Sequence, residues 1–337
     1  MKIAVFSTVL LSFLSLSSEN KKIVLKAGVL APEGSSWMET AKKFKKSVET
    51  GTEGRVKITW YAGGVMGDEG DMIKKMRIGQ LQMGGFTDTG LGFIDKSFRI
   101  FNLPFLFNSH EEYVYVRNRI FDDLKNIMRK KGFELLYHLD IGFIYIFSQS
   151  PISGLSNLKG VNLWVWAGDQ FVEEMVQTVK DLSAPMRLPI TDVLTALRTR
   201  MINAFYSTPY ATLALQWHNH IKYITDLPLA LSAAGLIIRK SEFDSLSERD
   251  RKAILESASI FDELTEKSQK ENDSAFEIMK KTGIIMVKPD LNSPDFQNLR
   301  KKFLELHEKL KGEFYSEELY KKVKTAIEEF RAKKEKE

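Results

Sequence analysis

Apolar positions change their period several times along the chain, and each change marks an element. Alternation at Ile23, Leu25, Ala27 and Val29 predicts a strand over 23–30, closed by Ala31-Pro32. Trp37, Ala41, Phe44 and Val48 then fall on one stripe of a helix over 37–50, opened by Gly34-Ser35-Ser36 and stopped by Gly51 and Gly54. A second strand over 55–61 follows, then the loop Gly63-Gly64-Val65-Met66-Gly67. A helix over 68–78 has Asp68 and Glu69 in its first turn, where acids suit the helix dipole, and a short apolar strand covers 83–87. This order predicts parallel pairing in an α/β sheet. Ligands of such sheets sit at loops beyond the carboxyl ends of the strands, here 31–36, 63–67 and 87–89.

Beyond an aromatic, proline-containing segment (98–107), a helix over 109–131 takes Ser109 as its N-cap, and strands follow over 134–140 and 143–148. The second of these is expected to leave a first lobe and enter another. There the pattern alternates again: strands over 161–165, 184–188 and 201–206, with helices over 169–180, 191–198 and 209–217. Strands over 222–225 and 229–238 lead back to the first lobe. The longest helical pattern, 247–282 capped by Ser247, would reach about 50 Å at ~1.5 Å per residue, enough to cross both lobes as a spine. A strand over 284–287 and helices over 293–310 and 316–333 close the chain. The expected fold is therefore α/β with two lobes, a hinge, a long spine helix and C-terminal helices. Lobe 1 would take 20–142 and 230–270, and lobe 2 143–229 and 271–337. Clefts between such lobes are preferred ligand sites.

The N-terminus adds an address. Met1-Lys2, an apolar run from Ile3 to Leu16, and small Ser15, Ser17 and Ser18 before Glu19 read as a secretory signal peptide over 1–18, so the protein is expected to be periplasmic. That run is too short for a comfortable membrane span, and no other run is longer. The chain has no cysteine, which excludes thiol nucleophiles, disulfides and cysteine metal sites. Its formal charge of +5 is spread over mixed Lys/Glu helix faces without a compact basic motif, so no nucleic acid is expected as a partner. No G-x-S-x-G, P-loop or G-x-G-x-x-G motif is present, and neither catalysis nor a cofactor is expected. His218-Asn219-His220 would suit a metal if it lay on a strand, and Asp68, Glu69 and Asp71 would suit a cation. Surface polarity and the helix dipole account for them more simply, and no metal is expected.

Several segments, in order and spacing, resemble the TRAP-type extracytoplasmic solute receptors of the DctP-like family. They are Gly63-Gly64-Val65-Met66-Gly67-Asp68-Glu69 with Met76-Arg77-Ile78-Gly79-Gln80-Leu81-Gln82-Met83, Asn102-Leu103-Pro104-Phe105-Leu106-Phe107, Pro151-Ile152 with Leu158-Lys159-Gly160-Val161, and Phe243-Asp244-Ser245-Leu246-Ser247. The resemblance runs from about Ile23 to the C-terminal helices. It implies a hinge-closing binding protein without catalysis, and integral-membrane permease subunits as partners. A sensor or scaffold docking a periplasmic helical-repeat partner is the alternative.

The chain departs from that family where its members hold an organic acid. An arginine usual in the strand after Leu-Lys-Gly is replaced by Trp164, and one usual after Gly-Phe in the crossing strand is replaced by Ile144. A carboxylate in a closed cleft needs a paired charge or several hydrogen bonds. Tryptophan offers one donor and a large apolar face. The expected ligand is therefore small and apolar or amphipathic, lipid-like or aromatic. The expected wall comprises Trp37, Met66, Ile144, Tyr145, Trp164, Trp166, Phe205, Tyr206 and Tyr210, with polar points at Ser36, Thr87, Asp88, Thr89 and Ser207. Ser207 stands in for the polar contact of the family's G-x-E-N-P turn, which is altered here to Ala204-Phe205-Tyr206-Ser207-Thr208-Pro209. The alternative is an organic-acid receptor that draws its cation from Arg187, Arg198 or Arg200.

Overall fold

The computed structural model describes residues 22–179, 182 and 185–336; the expected signal peptide lies outside them. The chain order is β1 (Ile23–Gly28), α1 (Ser36–Gly51), β2 (Val56–Tyr61), α2 (Glu69–Arg77), β3 (Met83–Thr87), α3 (Asp88–Ile94), a 3-10 turn (Lys96–Asn102), α4 (His110–Lys130) and β4 (Phe133–Ser148). Then come β5 (Trp164–Trp166), α5 (Gln170–Thr178), β6 (Met186–Leu188), α6 (Val193–Arg198), β7 (Ala204–Ser207), α7 (Pro209–Ala214) and β8 (Tyr223–Arg239). The C-terminal part is α8 (Lys240–Ser245), α9 (Glu248–Ser257), α10 (Asp262–Lys281), β9 (Ile285–Val287), α11 (Pro294–Lys309) and α12 (Glu317–Lys334). Helix starts follow the cap chemistry: Ser35, Ser109, Asp169, Ser247 and Ser316 each accept a backbone N–H of the first turn.

One sheet, in the order β2-β1-β3-β8-β4-β7, runs through the molecule, with β9 beside β8. Pairing is parallel for β1–β2, β1–β3 and β8–β9, and antiparallel for β3–β8, β4–β8 and β4–β7. The sheet is thus mixed: β1, β2 and β3 pair in parallel, as their strand–helix order predicts, and the long strands β4 and β8 add antiparallel pairs. A bridge between Leu163 and Ala204 carries the order on from β7 to the small parallel β5–β6 sheet.

The two longest strands run between the two ends of the sheet. Each pair of strands expected around 140 and 226 is one continuous strand, β4 or β8, and the two pair along their length. Register shifts fall at Leu135/Tyr137, Asp140/Gly142 and Ile144/Ile146. The last of these loops out the part of β8 containing Pro228, which has no N–H for the ladder and is confined to such bulges. Gly142 sits at the middle shift with φ +117°. A Cβ there would lie 2.5 Å from Nδ2 of Asn272. That side chain donates to Ile141 O at 3.1 Å and accepts from Tyr210 N at 3.0 Å, tying the crossing strand, α7 and α10 together.

The expected single spine helix is interrupted. A 3-10 turn, Ala258–Phe261, separates α9 from α10, and it turns Phe261 into an aromatic cluster with Trp37, Phe44 and Tyr137. Helix α10 lies against β4 and α7; α12 lies along α4, and α11 against α5.

Candidate functional site

Two joined cavities, about 160 and 100 Å³, lie between the β1–β3 end of the sheet and the β5–β7 end. They share Thr87, Ile141, Ile190, Thr208, Ala211 and Leu215. The loops at the carboxyl ends of β1 and β3 supply one wall, as the strand–helix order leads one to expect. The β7–α7 turn and α7 supply the facing wall, with Thr208 capping α7 through Ala211 N.

Polar contacts hold the walls together. Ser36 N–H donates to the Tyr210 hydroxyl at 3.2 Å, and Ser36 Oγ donates to Glu271 at 2.6 Å. The Trp166 indole N–H donates to Asp68 at 2.9 Å. Burial pushes the Asp68 carboxyl up, opposed by the Trp166 and Glu69 donors. Asp169, the N-cap of α5, accepts from Phe171 and Val172 and pairs with Arg99 at 3.0 Å.

Arg99 is the one cationic side chain on the walls of either cavity among the described residues. It is only 5% exposed. It donates to Thr89 Oγ1 and forms an ion pair with Asp169, and Phe171 covers the guanidinium 4.7 Å from the ring centre. Its Nε is buried without a hydrogen-bond partner, as is Oδ1 of neighbouring Asn102. Leaving buried donors and acceptors unpaired costs free energy, and on the cavity wall such atoms are open to a partner from outside the chain.

The acids facing the cavities are restrained in different ways. Glu69 is fully buried and accepts from Thr87 N and Oγ1 at 2.7 and 2.8 Å. Burial outweighs those donors and raises its pKa to about 8, so it is largely protonated at neutral pH. Asp88 accepts from His138 Nε2 at 2.8 Å and from Asn102 Nδ2 at 3.3 Å. With that nitrogen protonated, Nδ1 of the fully buried His138 is left to accept the Tyr113 O–H at 2.8 Å.

Ser36, Trp37, Thr87, Asp88, Thr89, Ile144, Trp164, Trp166, Tyr206, Ser207 and Tyr210 all reach a cavity wall. Met66, Tyr145 and Phe205 do not. Tyr145 follows Ile144 on β4 and Phe205 precedes Tyr206 on β7, and successive strand residues point to opposite faces. Tyr145 packs edge-on against Phe276, and Phe205 stacks on Phe147. Met66 joins the main core cluster and offers its carbonyl to Lys75. Trp164 is more core than anchor: it is 2% exposed, stacks on Tyr206, and donates its indole N–H to Leu188 O at 2.9 Å. Arg187 pairs outward with Glu173, and Arg198 and Arg200 are exposed, so none of the three lines a cavity. His218 and His220 occupy a 3-10 turn rather than a strand.

Sequence reasoning missed Arg99, Asn102, Thr208 and Glu271. Arg99 did carry a signal: it is a lone charge inside Phe98-Arg99-Ile100-Phe101, a run apolar enough to be drawn into the core.

The family model of bacterial extracellular solute-binding protein, family 7 (DctP), matches residues 27–313. The chain belongs to this family. It is therefore an extracellular solute-binding protein, a receptor and not an enzyme. It is 24% identical over 221 residues to the 2,3-diketo-L-gulonate-binding periplasmic protein YiaO of Escherichia coli K12, covering 65% of this chain and 66% of YiaO. Its fold matches the sugar acid binding protein DctPAm of Advenella mimigardefordensis in complex with galactonate, with TM-score 0.83, 19% identity, and 92% and 99% of the two chains covered. It also matches a TRAP periplasmic solute binding protein of Desulfovibrio salexigens with bound orotic acid, with TM-score 0.82, 17% identity, and 92% and 99% covered.

Proposed function

We propose that this receptor captures a small organic acid between its lobes and that Arg99 binds the acid's carboxylate. The observation that carries the reading is the buried guanidinium on the cavity wall, with an unpaired Nε. Arginine meets carboxylates with parallel, charge-assisted donors. Here the cation comes from the 3-10 turn after α3 instead of from β5, where Trp164 stands. The lipid-like or aromatic ligand expected from the missing arginines gives way to this reading, because the relatives named above carry acids: galactonate, orotic acid and, in YiaO, 2,3-diketo-L-gulonate. Residues 1–18 would direct export.

The binding step is hinge closure. The solute enters the open cleft and contacts one lobe; bending at Gly142 and the β8 bulge then brings Trp166, Thr208 and Tyr210 over it. The solute favours the closed form only through contacts it makes there and not in the open form.

The test is calorimetric titration of the wild-type chain with a panel of organic acids that includes galactonate and orotate. It is repeated with Arg99→Gln/Asp169→Asn, which removes both members of the buried pair and leaves no unpaired charge. Binding of an acid by the wild type, lost by tenfold or more in the double variant, supports the reading. Undiminished binding in a folded double variant removes Arg99 from the site.

A further inference from the structure

A third cavity, about 180 Å³, lies behind the cleft, between the crossing strands and helices α5 and α11. Its walls are almost wholly aliphatic and aromatic: Ile146, Leu163, Val176, Leu229, Phe296 and Phe303 are representative. The hydroxyl of Thr225 on this wall is already spent on Ile152 O at 2.9 Å. At one end the cavity meets the cleft, and the shared rim is Arg99, Asn102, Ile144 and Tyr206. Arg99 Nε and Asn102 Oδ1, both buried without partners, therefore belong to side chains lying between an apolar chamber and the polar cleft.

A wall this apolar offers water few partners. An engineered apolar cavity of about 150 Å³ excludes water and accepts benzene. Left empty, such a void destabilises a fold in proportion to its volume.

We infer that the chamber is a side-chain pocket for the solute: the bound acid carries a compact apolar substituent, of phenyl or about six-carbon size, that enters the chamber while its carboxylate stays at Arg99 on the rim. The inference rests on the organic-acid reading and narrows it. A polyhydroxylated acid would leave the chamber empty, because hydroxyls placed among Ile146, Leu163 and Phe303 would lack partners. A monocarboxylate with a short alkyl or aryl tail satisfies both ends at once.

The test is a calorimetric series of straight-chain monocarboxylates from propanoate to decanoate, with 3-phenylpropanoate, galactonate and orotate, on the wild-type chain and on Val176→Phe. Each methylene buried is worth about a fourfold gain in affinity. The wild type should therefore tighten with length up to a six-carbon tail and then level or weaken. Val176→Phe should abolish the length dependence. Should that variant fail to fold, the wild-type series decides by itself. Galactonate or orotate binding with no gain from propanoate to hexanoate overturns the chamber and leaves the acid reading standing. Binding of no acid at all overturns both.

Discussion

Asp169→Asn separates the two roles of the buried pair. Arg99 and Asp169 are 5% and 3% exposed, and their charged atoms approach to 3.0 Å. At an effective dielectric near 20, a separation of 3.0 Å corresponds to an attraction of about 5 kcal/mol. Asparagine caps a helix about as well as aspartate, so the bonds to Phe171 and Val172 survive on its one oxygen, while its amide NH2 replaces the oxygen that faced Arg99. What remains is a buried cation without its counter-charge, a loss of roughly 3 kcal/mol, at the low end for removing one partner of a buried pair. An acid that binds Arg99 restores that counter-charge. The variant should therefore unfold at lower urea in the absence of solute, yet bind the acid more tightly, by about tenfold if ~1.4 kcal/mol of the loss is recovered. Urea titration and calorimetry read the two effects separately. A variant as stable as wild type that binds the acid more weakly would refute the reasoning, because Asp169 would then be helping the solute rather than standing in for it.

Three further outcomes are expected. The Glu69 carboxyl has its pKa raised from 4.5 to about 8, so the folded state holds a proton that the unfolded chain releases; stability should be greatest below pH 4.5 as far as this group decides it and fall as pH rises toward 8, by up to about 1.4 kcal/mol per pH unit. Urea midpoints across that range should show a flatter profile for Glu69→Gln. Gly142→Ala places a Cβ against Asn272 and a β-carbon residue at φ +117°, and should cost at least about 2 kcal/mol and weaken solute-induced compaction measured by small-angle scattering. Trp164→Ala should cost about 3–5 kcal/mol of stability through the hole it leaves, whereas Trp164→Phe, losing mainly the bond to Leu188, should cost about 1 kcal/mol in the same urea assay.

Much of the fold was legible because it rests on local chemistry. Caps at Ser109 and Ser247, the stripe of α1, and the strand–helix alternation each depend on residues near one another in sequence. Continuity of β4 and β8 was not legible, because Gly142 and Pro228 read as breaks, and only pairing with a distant strand shows them to be bulges. The spine broke for a similar reason: Phe261 is drawn toward Trp37 and Phe44, which lie over two hundred residues away in sequence. At the site, the aromatic wall was read as a set, although strand alternation separates Ile144 from Tyr145 and Tyr206 from Phe205. The cation was sought at the positions where the family resemblance put it and among arginines near the second lobe. Arg99 escaped because its burial and its partner Asp169 arise from contacts between distant parts of the chain.

The most direct measurement is native mass spectrometry of the protein purified from its native source, followed by extraction and identification of what it carries. The account predicts a one-to-one adduct that proves to be a small monocarboxylic acid, absent from the Arg99→Gln/Asp169→Asn protein. A neutral lipid, or an acid retained undiminished by the double variant, would contradict it.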